Sequence, residues 1–151
     1  MKKIFLIFPN QLFKIKKQFT GVKNIALIQD SLFFGCDSQW KQKFHCQKII
    51  FHKATMDSYE EDLKSHGYKV LYIKHTRGNR TEDNLNYLTK IGFNYFITYE
   101  IFDWSLEKRI KEFTIKTNTK LEIRKNEMFL TCEDISDEII HQGKIYGMQK
   151  F

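Results

Sequence analysis

Eight polar side chains stand just after short apolar runs: Asn10 and Gln11, Gln29 and Asp30, His75 and Arg77, Glu100 and Asp103. If those runs are parallel strands, these residues gather where an open α/β sheet takes its ligands, outside the carboxyl ends near the point where strand order reverses. Amides there could hydrogen-bond the edge of a heterocycle, and carboxylates could orient it or hold a proton. The same side chains would equally serve to tie off the last strand carbonyls and cap the following helices.

Aromatic residues follow the second pair. Leu32-Phe33-Phe34-Gly35, with Trp40 and Phe44 beyond, could stack on a flat ring or an unpaired base, or simply close the core. His45 and His52 lie seven apart, on one face of a helix, with Cys46 beside the first. Tetrahedral zinc needs three or four converging ligands, so solvated or capping histidines explain this pattern better than a metal site.

Several chemistries lack their motif. Pro9-Asn10-Gln11-Leu12 has none of the glycines that let backbone amides approach a pyrophosphate, and no P-loop, GxSxG elbow or HExxH pair is present. Nothing in the sequence supplies a catalytic nucleophile with its acid–base partner.

The elements that must position these residues are legible from hydrophobic patterning. Ile4–Phe8, Ile25–Ile28, Val70–Ile73, Tyr95–Tyr99 and Leu121–Ile123 are short apolar runs with little polar alternation, as expected of strands covered on both faces. Between the second and third, residues 42–65 read as a long helix whose stripe is Phe44, Ile49, Phe51, Met56, Tyr59 and Leu63, with Gly67 as its stop. Further helices are predicted from Thr81, opening on a capping box with Asp83, to Ile91, and from Trp104 to Thr117. Residues 12–24 are too few for a helix and two turns, so one helical turn or an irregular crossover is expected there. Strand alternating with helix implies right-handed crossovers and a mostly parallel, doubly wound sheet.

Composition sets the outer bounds. With 151 residues, 42% hydrophobic and 28% charged, the chain is expected to be one globular domain with its own core. The apolar run that starts at Ile4 is broken at Pro9, too early for a signal core or a membrane span, so a cytoplasmic location and no membrane partner are expected. Cys36, Cys46 and Cys132 form no CxxC pair and are read as reduced thiols. Residues 1–53 carry ten lysines against Asp30 and Asp37, whereas residues 54–151 carry 15 basic and 16 acidic groups, so the net charge of +7 resides in the first third. Such asymmetry either faces a polyanion or reflects lysine-rich solvated surfaces.

Five blocks carry a resemblance: the first strand with Asn10-Gln11-Leu12, FHCQKIIFHKATMDSYEEDL at 44–63, GYKVLYI, IRKNEMFL and GKIYGMQKF. In this order they resemble the N-terminal domain of cryptochrome/photolyase-related proteins, the branch whose complete members carry an iron–sulfur cluster. The resemblance implies a Rossmann-like five-stranded sheet of order 3-2-1-4-5 with helices on both faces. It also implies an antenna chromophore, lumazine- or flavin-like, at Asn10, Gln11, Gln29, Asp30, Phe33, Phe34 and Glu100. FAD, the iron–sulfur cluster and the DNA lesion would belong to a helical domain expected to be absent from this chain, so the three cysteines are not read as cluster ligands and no residue is assigned to catalysis. Asn10 stands where family members often carry an acid, Glu100-Ile101-Phe102-Asp103-Trp104 replaces a PGEW-type turn, and LFFGCDSQW looks like an insertion.

The expected role is the antenna and docking half of a split or truncated photorepair protein, inactive alone. Its expected partners are a separate helical flavin-domain chain and damaged DNA, with self-association through an exposed apolar face. The alternatives are a stand-alone module for a small heterocycle or nucleic acid, or an idle gene fragment.

Overall fold

A computed structural model describes residues 1–15 and 19–125. Five strands form one sheet: β1 (Lys3–Ile7), β2 (Asn24–Ile28), β3 (Lys69–Ile73), β4 (Tyr95–Tyr99) and β5 (Lys120–Arg124). The order is β3-β2-β1-β4-β5, and every pairing is parallel, with Phe5 opposite Ile25 on one side of β1 and Ile97 on the other. The architecture is therefore the expected α/β, Rossmann-like, doubly wound sheet.

Side-chain alternation along the strands divides the core in two. Phe5, Ile7, Ile25, Leu27, Ile97 and Tyr99 face α2 (Cys46–Ser65) through Met56, Tyr59 and Leu63, together with Phe19 from the first crossover. Ile4, Leu6, Ala26, Ile28 and Phe96 face α3 (Thr81–Lys90) and α4 (Trp104–Thr117) through Leu85, Leu88, Leu106, Ile110 and Phe113. Burial on both faces explains why the strands read as continuous apolar runs.

Three local expectations are corrected. The long helix starts at Cys46, not at residue 42, because the His45 side chain accepts the Gln47 amide at 3.3 Å and sets the boundary as an N-cap. Phe51 lies off its buried stripe and is 65% exposed, whereas Met56, Tyr59 and Leu63 are buried. At α3 the cap residue is Arg80 rather than Thr81; the Asp83 carboxylate accepts the Arg80 amide at 2.8 Å. The aromatic segment after β2 contains a four-residue helix, α1 (Ser31–Phe34).

The first crossover ends in a tight turn in which Val22 N–H donates to Phe19 O at 2.9 Å. Residues 16–18, Cys132, most of IRKNEMFL and all of GKIYGMQKF lie outside the described residues. No described helix is long and apolar enough to cross a membrane.

Candidate functional site

At the β1 end, adjacent residues take different roles. Gln11 is buried across the switch point between β1 and β4: Oε1 accepts Phe8 N–H at 3.3 Å, while Nε2 donates to the carbonyls of Tyr99 and Glu100 at 3.4 and 3.3 Å. The residue clamps the two strand ends together. Glu100 enters this clamp through its main chain, its amide donating to Arg124 O at 2.9 Å. Asn10 has no such partner, and its Oδ1 is buried without a hydrogen bond. It lines a cleft of about 480 Å³ between the β1 loop and α2, with Phe13, Phe51, Tyr59 and Asp62 among the walls. A buried amide oxygen left unpaired is a costly arrangement.

At the β2 end, Gln29 is buried in a chain of hydrogen bonds. Its Nε2 donates to the Tyr72 hydroxyl, which donates to Asp57 at 2.8 Å, and its Oε1 accepts the His75 amide at 3.3 Å and lies 2.9 Å from His75 Nδ1. Burial pushes the Tyr72 phenol far up, with its bond to Asp57 adding to the shift. The His75 ring also stacks on Phe34, centroids 4.4 Å apart and planes 13° from parallel. Phe34 is thus a buried support for His75, and desolvation lowers the His75 pKa. Phe33 turns into a different cleft, of about 310 Å³, beside Trp40, Phe44 and Lys48.

Asp30 caps α1 by accepting Leu32 N–H at 3.1 Å through Oδ1, and its Oδ2 is buried without a partner. Burial pushes its carboxyl up to about 6, opposed by the Leu32 amide and the Arg109 charge.

Sequence reasoning missed the pair beside it. Asp37 and Arg109 are both buried, joined by Arg109 Nη1 to Oδ2 at 2.6 Å and Nη2 to Oδ1 at 3.0 Å. Asp37 also accepts the Gln39 and Trp40 amides, both at 2.9 Å, and the Ser31 hydroxyl at 3.1 Å. Burial alone would raise its pKa, but the guanidinium and the two amides outweigh that and hold the carboxyl far below the usual range. No short-range signal marks this pair; what the sequence does show is that Asp37 and Asp30 are the only acids among the first 53 residues.

The seven expected chromophore residues therefore do not converge on one cavity. Asn10 lines one cleft and Phe33 another, whereas Gln11, Gln29, Asp30 and Phe34 are buried at the strand ends, and Glu100 joins by its backbone. His45 is exposed and His52 packs near Phe33 and Phe34; no three His, Cys, Asp or Glu side chains come together as metal ligands among the described residues.

Residues 5–151 match the sequence profile of the family described as deoxyribodipyrimidine photo-lyase-related protein. The chain is also similar to the uncharacterized protein R852 of Acanthamoeba polyphaga mimivirus, 34% identical over 127 residues. That match takes in 80% of this chain and 62% of the viral protein, so the chain spans less than two thirds of that relative.

Proposed function

The chain belongs to the deoxyribodipyrimidine photo-lyase-related protein family, and from that premise we propose that it is the light-harvesting and docking α/β unit of a photorepair protein of the iron–sulfur cryptochrome/photolyase branch. It binds a flat antenna heterocycle, lumazine- or flavin-like, and passes excitation to FAD held by a helical flavin-binding partner. Electron transfer to a DNA lesion belongs to that partner, because the cofactor supplies such chemistry and the protein positions it.

The observation that carries this reading is the Asn10 cleft. Asn10, whose amide oxygen is buried and unpaired, lines a space of about 480 Å³ with aromatic walls, which suits a fused bicyclic or tricyclic ring. Phe51, 65% exposed on a helix whose other aromatic is buried, supplies a ring for a ligand to cover. Two of the buried charged groups near the strand ends, Asp37 and Arg109, are committed to each other.

The test is reconstitution. The purified chain is mixed separately with a ribityl-lumazine and with riboflavin, and bound pigment is read by absorption and fluorescence anisotropy. Saturable binding lost in Asn10→Leu supports the reading; absence of binding to both pigments removes it. If pigment binds but no helical flavin protein of the family quenches its fluorescence by energy transfer, a stand-alone heterocycle-binding module is the better description.

A further inference from the structure

A second cleft, of about 650 Å³, opens between the loop after α1 and the loop after β3, and it shares no lining residue with the Asn10 cleft. Lys41, Lys43 and Arg77 line it, and none of them forms an ion pair among the described residues. Lys53, Lys64, Lys108 and Lys111 on the helix surfaces are, by contrast, each paired with an acid one turn away. Asp37 is the one acid among the residues lining the cleft, and both of its oxygens are occupied by Arg109, Ser31 and two backbone amides. Its charge is already neutralised, so the cleft keeps the excess of its three cations.

The walls are fixed in advance. Gly78 N–H donates to Cys36 O at 3.2 Å and ties the two loops together. Gly35, at φ +67°, lets the chain pass so close to Gln42 that a Cβ would lie 2.5 Å from its carbonyl oxygen. His75 contributes a ring held flat by Phe34 on one face and by Gln29 at Nδ1, and it too lines the cleft. The ring is thus fixed before a ligand arrives and stands beside three cations, an arrangement that suits a ligand with both a phosphate and a flat ring.

We propose that this cleft binds a phosphate-bearing ligand of the mononucleotide class, with Lys41, Lys43 and Arg77 on the phosphate and His75 against the ring. Side-chain cations here replace the backbone amides of a glycine-rich loop, and the planar guanidinium of Arg77 can take two phosphate oxygens at once. The site lies after β2 and β3, so the missing glycine fingerprint after β1 does not bear on it. It also stands independently of pigment binding at Asn10.

The phosphate could come from a free nucleotide or from a nucleic-acid backbone, and calorimetric titration of the full chain with ADP, adenosine, inorganic pyrophosphate and single-stranded oligothymidylate separates them. ADP is expected to bind saturably, adenosine about ten-fold more weakly or worse, because charge-assisted bonds to the phosphates are lost. Lys41→Ala/Arg77→Ala should weaken ADP and pyrophosphate alike by about ten-fold or more, with an unchanged circular dichroism spectrum. His75→Ala should weaken ADP but not pyrophosphate, and Asn10→Leu should change neither. The proposal is overturned if ADP fails to bind at millimolar concentration, if the double substitution leaves its affinity unchanged, or if only the oligonucleotide binds, with affinity falling steeply with salt.

Discussion

Arg109 grips Asp37 across 72 positions of chain, through two hydrogen bonds of 2.6 and 3.0 Å in a buried setting. The bond fastens the loop after α1 to α4, and the turn at Gln39 and Trp40 folds onto the same carboxylate. Breaking it from one side strands a charge. Arg109→Met is expected to cost about 3–5 kcal/mol in urea unfolding, whereas Arg109→Met/Asp37→Leu should recover a large part of that loss. Equal losses in the single and double variants would show that an unpaired Asp37 carboxylate is not the source of the cost.

Asp30 should make the protein less stable as pH rises. Its folded pKa, up to about 6, lies above the ordinary value of 3.8, so between those values the folded state binds more protons than the unfolded state. Stability contributed by the neutral form is present below pH 4 and is lost as pH rises through 6. Asp30→Asn keeps an acceptor for the Leu32 amide but cannot ionise. It should raise stability at pH 7.5 by about 1–3 kcal/mol and flatten the stability profile between pH 4 and 6. A variant that is less stable than the parent at pH 7.5 contradicts this assignment.

Asn10 should matter to ligand and little to fold. Asn10→Leu removes an unpaired acceptor, so thermal unfolding should shift upward or not at all. Pigment affinity should fall about ten-fold or more, since a hydrogen bond to a buried group is worth roughly 1–3 kcal/mol. A large drop in melting temperature would instead make Asn10 structural.

Two residues of α2 should respond in opposite ways. Leu63→Ala, emptying a fully buried site, is expected to cost about 2–5 kcal/mol, while Phe51→Ser should stay within about 0.5 kcal/mol. Urea unfolding of both variants measures the contrast, and a comparable loss from Phe51→Ser would place its ring in the core.

The sheet was legible because parallel strands buried on both faces leave apolar runs too short for helices, as in Ile4–Phe8 and Tyr95–Tyr99. Polar residues at the strand ends were legible by position, but their roles were not. Gln11 and Asn10 are neighbours in sequence, and only the path of the chain makes one a clamp and leaves the other unpaired. Arg109 read as one more charge on an amphipathic helix, since nothing within a few residues of it points to Asp37. The stripe of α2 was misread at Phe51, which stands about 200° around the helix from Ile49 and so off the face that Ile49, Met56, Tyr59 and Leu63 share.

The register of β1 also bears on the order in which the chain takes shape during synthesis. β1 is the central strand, yet only its β2 side can pair early; its other side waits for β4, with Lys3 opposite Tyr95 and the Lys2 amide bonded to the Asn94 side chain at 3.0 Å. Pairing of that separation closes slowly because the loop entropy is spent before the contacts form. A nascent chain that has emerged as far as α3 therefore carries its most apolar strand with one row of backbone groups still open to water and to other chains.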